Sequence, residues 1–128
     1  TLVVSPAGER LEKPLDADDA RRMLRSYSGA TAIVHSGLCV IAPGGKSASG
    51  LSSSSVKFRT LQQEDIDWWI RTNLWQGRSG AFQIDGLGQI LIEEITGEFT
   101  SIVGLPVYLF GQLLEKVGYD LQEILSQK

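Results

Sequence analysis

Thr1-Leu2-Val3-Val4 is made of apolar or β-branched residues with no turn or cap residue before it, and it reads as a strand. The stretch from Ser5 to Pro14 carries Pro6, Gly8 and Pro14 and reads as a loop. The period then changes. Asp16 is a good helix N-cap, Ala20, Met23, Leu24 and Tyr27 recur at helical spacing on one stripe, and Gly29 supplies a left-handed stop. Thr31 to Ala42 is rich in Ile, Val, Leu and Cys, a second strand, and Pro43-Gly44-Gly45 marks a turn. Beyond that turn Ser53, Ser55, Lys57 and Arg59 alternate with Ser54, Val56, Phe58 and Thr60. The serine-rich stretch from Ser47 to Leu61 is therefore expected to pair back as a hairpin strand, although its composition would also suit a linker.

Gln62 to Trp75 has Ile66, Trp69, Ile70 and Asn73 on one stripe and Glu64, Asp65 and Asp67 near its start, the pattern of a second helix. Gln76 to Gly88 is dense in glycine (Gly77, Gly80, Gly86, Gly88) and reads as a functional loop. Gln89 to Ile95 follows as a strand, and a last helix is expected from Pro106 to Val117, ended by Gly118. Asp120 then caps a short tail in which Leu121, Ile124 and Leu125 share a face. The order strand, helix, two strands, helix, strand, helix predicts an α/β fold: a mixed sheet flanked by helices, in a single domain over residues 1–128.

Composition narrows the picture. With 128 residues, 42% hydrophobic and 21% charged, one globular core suffices. A formal charge of −3 argues against a nucleic-acid scaffold, which needs a basic face. Arg21, Arg22 and Arg25 do cluster, but they follow Asp16, Asp18 and Asp19 along one helix, as its dipole prefers, and read as a solvated face. Cys39 is the only cysteine and, in an apolar stretch, is expected as a small buried hydrophobe. The lack of a disulfide framework favours a reducing compartment, so a cytoplasmic location is expected. No apolar run approaches the ~20 residues of a membrane span and no leader is visible, so no membrane partner is expected.

Familiar catalytic constellations are missing. His35 and Cys39 share a strand face but lie roughly 13 Å apart, too far for a dyad. No Walker lysine motif, nucleophile elbow or dinucleotide fingerprint occurs, and Gly86-Leu87-Gly88 precedes a strand where that fingerprint must follow one. Trp68, Trp69 and Trp75 could stack on bases, but their helical spacing favours packing. The remaining candidates are polar residues on loops: Lys13, Arg78, Ser79, Asp85, Glu98, Thr100 and Ser101. Lysine and arginine there could hold phosphate oxygens, and carboxylates a metal ion bridging them.

Several segments, in order and spacing, resemble one family. They are Thr1-Leu2-Val3-Val4, Glu12-Lys13-Pro14, Asp16 to Leu24, Val56 to Leu61, Gly80 to Gly88, and Ile102-Val103-Gly104-Leu105-Pro106. Together they resemble the Maf family of nucleoside triphosphate pyrophosphatases over essentially the whole chain. The resemblance implies a Maf/ITPase-like fold with a cleft, and hydrolysis of a nucleoside triphosphate, standard or modified, to the monophosphate and pyrophosphate with Mg²⁺ or Mn²⁺. It further implies that the chain is the C-terminal two-thirds of that fold, starting just after a family Ala-Asp-Thr whose threonine is Thr1 and whose aspartate is the proposed base or metal ligand. A serine- and arginine-rich loop that grips the triphosphate would precede it as well.

Carried over residue by residue, Lys13 matches the lysine of a Gly-Lys-Pro segment, with Glu12 in place of the glycine. Gly77-Arg78-Ser79-Gly80-Ala81-Phe82 stands where the family usually reads Asp-Lys-Ala-Gly-Ala-Tyr, and Asp85 where many members carry glutamine. The implied catalytic residues are Lys13 and Asp85; the implied substrate contacts are Thr1, Lys13, Arg78 and Ser79; the implied metal ligand is Asp85. Two readings stay open: a nucleotide pyrophosphatase, or a non-catalytic relative that binds nucleotide or dimerises. On either, exposed apolar surface is expected, with association as a homodimer or with the segment that would precede Thr1.

Overall fold

A computed structural model of the chain describes residues 1–126, with the side chains of Ile124 and Leu125 outside the description. Five strands are formed: β1 (Leu2–Val4), β2 (Arg10–Leu11), β3 (Thr31–Ile41), β4 (Ser47–Phe58) and β5 (Ile92–Thr96). Among them run α1 (Ala17–Tyr27), α2 (Gln63–Thr72), α3 (Phe99–Val103), α4 (Val107–Lys116) and α5 (Leu121–Ser126). The sheet order is β2-β1-β3-β4-β5, and every pairing in it is antiparallel. The result is an α/β fold with helices against the sheet. None of the described helices is long and apolar enough to cross a membrane.

The strand alternation decides which side is buried. On β3 the residues Ala32, Val34 and Ser36 are buried, and their β4 neighbours Ser54, Val56 and Phe58 share that face. Tyr27 of α1 and Trp69 of α2 cover it, both wholly buried, and Tyr27 stacks on Phe58 with ring centres 4.4 Å apart. The hairpin about Pro43-Gly44-Gly45 forms as its period of two predicts, with Cys39 opposite Ser49 and Thr31 opposite Lys57. Cys39 is nevertheless exposed, not buried. It projects from the face that carries His35 and Ile41, while α4 packs against the other side of the same strands.

The distal half of the hairpin, beyond the reach of β1 and β5, has its own small core: Ala42, Leu113 and Val117 are buried there, apart from the main cluster. Leu109 of α4 lies against Gly50, whose missing side chain makes the room. Apolar surface is left open, with Ile41 70% and Leu51 63% exposed.

Four other expectations shift. The loop from Ser5 to Pro14 contains β2, because Leu11 pairs with Val3 and closes over the core. The strand expected at Gln89 to Ile95 begins at Ile92, since Leu87–Leu91 winds into a 3₁₀ turn with Gln89 N–H bonded to the Gly86 carbonyl. Asn73 is not on the buried stripe of α2; it is an exposed left-handed C-cap with φ 60. The residues Phe99–Val103, where no helix was expected, form α3. Gln122 N–H bonds to the Asp120 carboxylate as that cap requires; Leu121 is exposed, and the side chains of Ile124 and Leu125, with which it was expected to share a face, lie outside the description.

The start of α2 gives a pH-dependent term. Asp65 accepts from Nη1 and Nη2 of Arg59 and from Gln62 N–H, and the Arg59 bonds first, then the Gln62 amide, hold its carboxyl below the usual range. A carboxylate lowered in the folded state stabilises above its unfolded value, about 4, and that contribution disappears as pH falls through the lower folded value. The urea midpoint is therefore expected to drop less between about pH 5 and pH 2 in Asp65→Asn than in the parent chain. Equal slopes would mean that the Arg59–Asp65 pair is solvated away.

Candidate functional site

The glycine-rich loop is held by the core beneath it. Tyr27 donates its buried hydroxyl to the Gly80 carbonyl at 2.7 Å, and Trp69 Nε1 donates to the Ala81 carbonyl at 2.8 Å. Burial pushes the Tyr27 phenol well above its ordinary range, so it stays a neutral donor. These anchors impose a left-handed backbone on Gly80 (φ 78) and on Ala81 (φ 64), the latter a conformation that a residue with a Cβ rarely adopts. Past the loop, Gly88 passes so close to Gln83 that an added Cβ would stand 2.1 Å from the Gln83 carbonyl oxygen. In the same turn Gln83 Oε1 is buried without a hydrogen-bond partner among the described residues.

One further amide joins this loop to the segment after β2: Gly80 N–H donates to the Glu12 carbonyl at 3.1 Å. Ser79 is thereby set beside Lys13. Two adjoining hollows result, which share Thr1 and Ser79. The more enclosed, about 200 Å³, has Val3, Phe82, Ile84 and Ile102 as apolar walls and Arg78 and Asp85 as its charged groups. The more open, about 380 Å³, is lined on its polar side by Arg10, Glu12 and Lys13.

The sequence candidates therefore converge. Thr1, Lys13, Arg78, Ser79 and Asp85 all border this paired hollow. Arg78 Nη1 lies 3.9 Å from Asp85 Oδ1, and Arg10 lies 3.8 Å from Glu12. Lys13 has no salt-bridge partner among the described residues, so its charge is available to a ligand.

Glu98, Thr100 and Ser101 do not join them. The Glu98 carboxylate accepts from Ser52, Thr100 and the Tyr108 N–H in the first turn of α4, while Ser101 is buried against Ser54. These groups fasten α3 and α4 to the hairpin.

Two residues at the site had no place among the sequence candidates. Arg10 is one exposed charge among many, and only its pairing opposite Val4 brings it to the open hollow. Ser36 bonds the Thr1 hydroxyl at 2.8 Å and donates to the Ser101 carbonyl at 2.6 Å, which fixes Thr1 at the junction. A lone serine in an apolar strand run was the available signal.

The residues present do not fit a protein-held metal ion. Asp85 is the one carboxylate of the enclosed hollow and already faces a guanidinium, and no group of three potential ligands occurs among the described residues.

Against this geometry, comparison with known proteins is specific. The family described as Maf-like protein matches residues 1–117. The chain is 39% identical over 122 residues to a dTTP/UTP pyrophosphatase of Pyrococcus furiosus, covering 95% of this chain and 63% of that protein. It is 34% identical over 121 residues to one of Mesorhizobium japonicum, covering 94% and 58%, and 36% identical over 116 residues to one of Deinococcus radiodurans, covering 91% and 59%. The chain thus spans roughly three-fifths of the length of these relatives.

Proposed function

This chain belongs to the Maf family, and from that membership we propose that its paired hollow serves a nucleoside triphosphate pyrophosphatase, which releases pyrophosphate and leaves the nucleoside monophosphate. The observation that carries the reading is the convergence of Thr1, Lys13, Arg78, Ser79 and Asp85 on two hollows with a shared border. Residues of such different sequence positions meet there only because β1, the segment after β2 and the glycine-rich loop are tied together.

In this reading water attacks the α-phosphorus, a new P–O bond forms as the water gives up a proton to solvent, and the bond to the bridging oxygen breaks so that pyrophosphate leaves with the electron pair. Negative charge grows on the phosphate oxygens. Lys13, unpaired among the described residues, stands where it can neutralise that charge, and Arg10 adds a second cation to the same hollow, its charge shared with Glu12 3.8 Å away. Thr1 and Ser79 offer hydroxyls at the junction, fixed by Ser36 and by the Gly80–Glu12 amide. Arg78 shares its charge with Asp85 and contributes less to the phosphates than its residue type promises. A divalent cation, as the family implies, would supply Lewis-acid polarisation of the phosphates; the residues present here supply no ligand set for it, and no step is assigned to it.

Following pyrophosphate release from each nucleoside triphosphate tests the proposal. Lys13→Ala is expected to lower kcat/KM about 10²-fold, the scale of one lost transition-state charge contact. An unchanged kcat/KM would remove the open hollow from the reaction, and no release from any nucleoside triphosphate by the parent protein would sink the assignment. The relatives are named for dTTP and UTP, which makes those two the first substrates to assay.

A further inference from the structure

We infer that Asp85 and Arg78 together read the nucleobase, Asp85 accepting from a ring N–H and Arg78 donating to the adjacent ring carbonyl, and that Asp85 is not a metal ligand. This rests on the nucleotide reading above and names the part of the ligand that each hollow takes.

The two hollows differ in what they can solvate. In the enclosed one, Val3, Phe82, Ile84 and Ile102 form the walls. A triphosphate there would shed water against apolar side chains and face a carboxylate, both unfavourable. A flat heterocycle suffers neither penalty, and packing between apolar and aromatic side chains is a common way to hold one. The open hollow, with Arg10 and Lys13 against Glu12, is the place for the anionic end. The junction at Thr1 and Ser79 then lies between base and phosphates, where the sugar must pass.

The charged pair fits one kind of edge. An ionised carboxylate only accepts and a guanidinium only donates, and here they lie 3.9 Å apart at one wall. They present an acceptor beside a donor. The complement is a lactam edge, an N–H next to a carbonyl, found on uracil and thymine at N3–H and O4 and on guanine at N1–H and O6. Both bonds would be charge-assisted. Cytosine and adenine offer a less acidic amino N–H beside a bare ring nitrogen, a poorer match. As a metal site the same place is deficient: a single carboxylate, already opposed by a cation.

Isothermal titration of the protein with UMP, GMP, their N3-methyl and N1-methyl derivatives, CMP and pyrophosphate separates the possibilities. UMP or GMP is expected to bind at least about tenfold more tightly than its N-methyl derivative and than CMP, and which of the two does so identifies the pyrimidine or purine source. In Asp85→Ala that preference should shrink to within about twofold, while pyrophosphate binds as tightly or more tightly, since an anion has been removed. Equal binding of methylated and unmethylated bases by the parent, with pyrophosphate still bound, overturns the base-reading assignment and leaves the nucleotide reading standing. Mg²⁺ binding in the absence of nucleotide that is lost in Asp85→Ala overturns it in favour of a metal ligand. If neither pyrophosphate nor any nucleotide binds, both readings fall.

Discussion

Tyr27→Ala is expected to lower the stability of the fold by about 4 kcal/mol, the range for emptying a large aromatic site in a core. Tyr27 is wholly buried, stacked on Phe58 and set edge-on to Phe82 with ring centres 5.6 Å apart, so no neighbour is placed to fill the space. Its hydroxyl also satisfies the Gly80 carbonyl. Tyr27→Phe isolates that second contribution: the rings remain, one buried acceptor loses its donor, and about 1–2 kcal/mol should be lost. Urea unfolding of the three proteins checks both figures. A loss below about 1 kcal/mol for the alanine variant would mean that the aromatic cluster is not the keystone of this core.

The second large effect is expected at Gly80. An added Cβ would stand 2.5 Å from the Tyr27 hydroxyl and 3.0 Å from a Val3 methyl, in a backbone conformation (φ 78) that alanine resists. Strain and overpacking together should cost about 3 kcal/mol in Gly80→Ala. Gly44→Ala is the matched control, because φ there is also positive (98) but nothing lies within 4 Å; it should cost only about 1 kcal/mol. Thermal unfolding followed by circular dichroism gives the comparison. Gly80→Ala should also weaken pyrophosphate binding, since the Gly80 N–H holds the Glu12 carbonyl and with it the approach of Lys13. Equal losses in the two variants would show that contact with Tyr27 does not shape the loop.

How much of this was legible beforehand depended on whether the deciding interactions were local. The first helix was, because its cap and its stripe lie within one stretch: Asp16 accepts from Asp19 N–H, and Ala20, Met23, Leu24 and Tyr27 are all buried. The hairpin was too, since a period of two across a Pro-Gly-Gly turn specifies its own partner. β2 was not, because Arg10 and Leu11 are a strand only through Val3 and Val4. Cys39 shows the same limit differently. Alternation placed it on one face with His35, but which face would be covered is settled by α4, from a distant part of the chain.

The candidate site follows the same rule. Lysine, arginine and aspartate on glycine- and proline-bounded loops were readable as phosphate chemistry, while their meeting place was not. It depends on the Gly80–Glu12 amide and the Tyr27–Gly80 bond, between residues far apart in sequence. Ser36 and Arg10 carry no such local mark, because a lone hydroxyl or charge on a strand acquires a role only from what stands opposite it.

The small cluster beneath α4 divides the molecule's cohesion. Residues 37–41 and 47–51 form a two-stranded ribbon, with β1 and β5 pairing only nearer the site, and α4 rests on it through Leu113 and Val117, apart from the main core. A hairpin with one small helix for cover is marginal by itself. Ribbon and helix are accordingly expected to open as one cooperative unit and to exchange their amide protons ahead of the aromatic centre, with the loops about Thr1 and Ser79 keeping their shape.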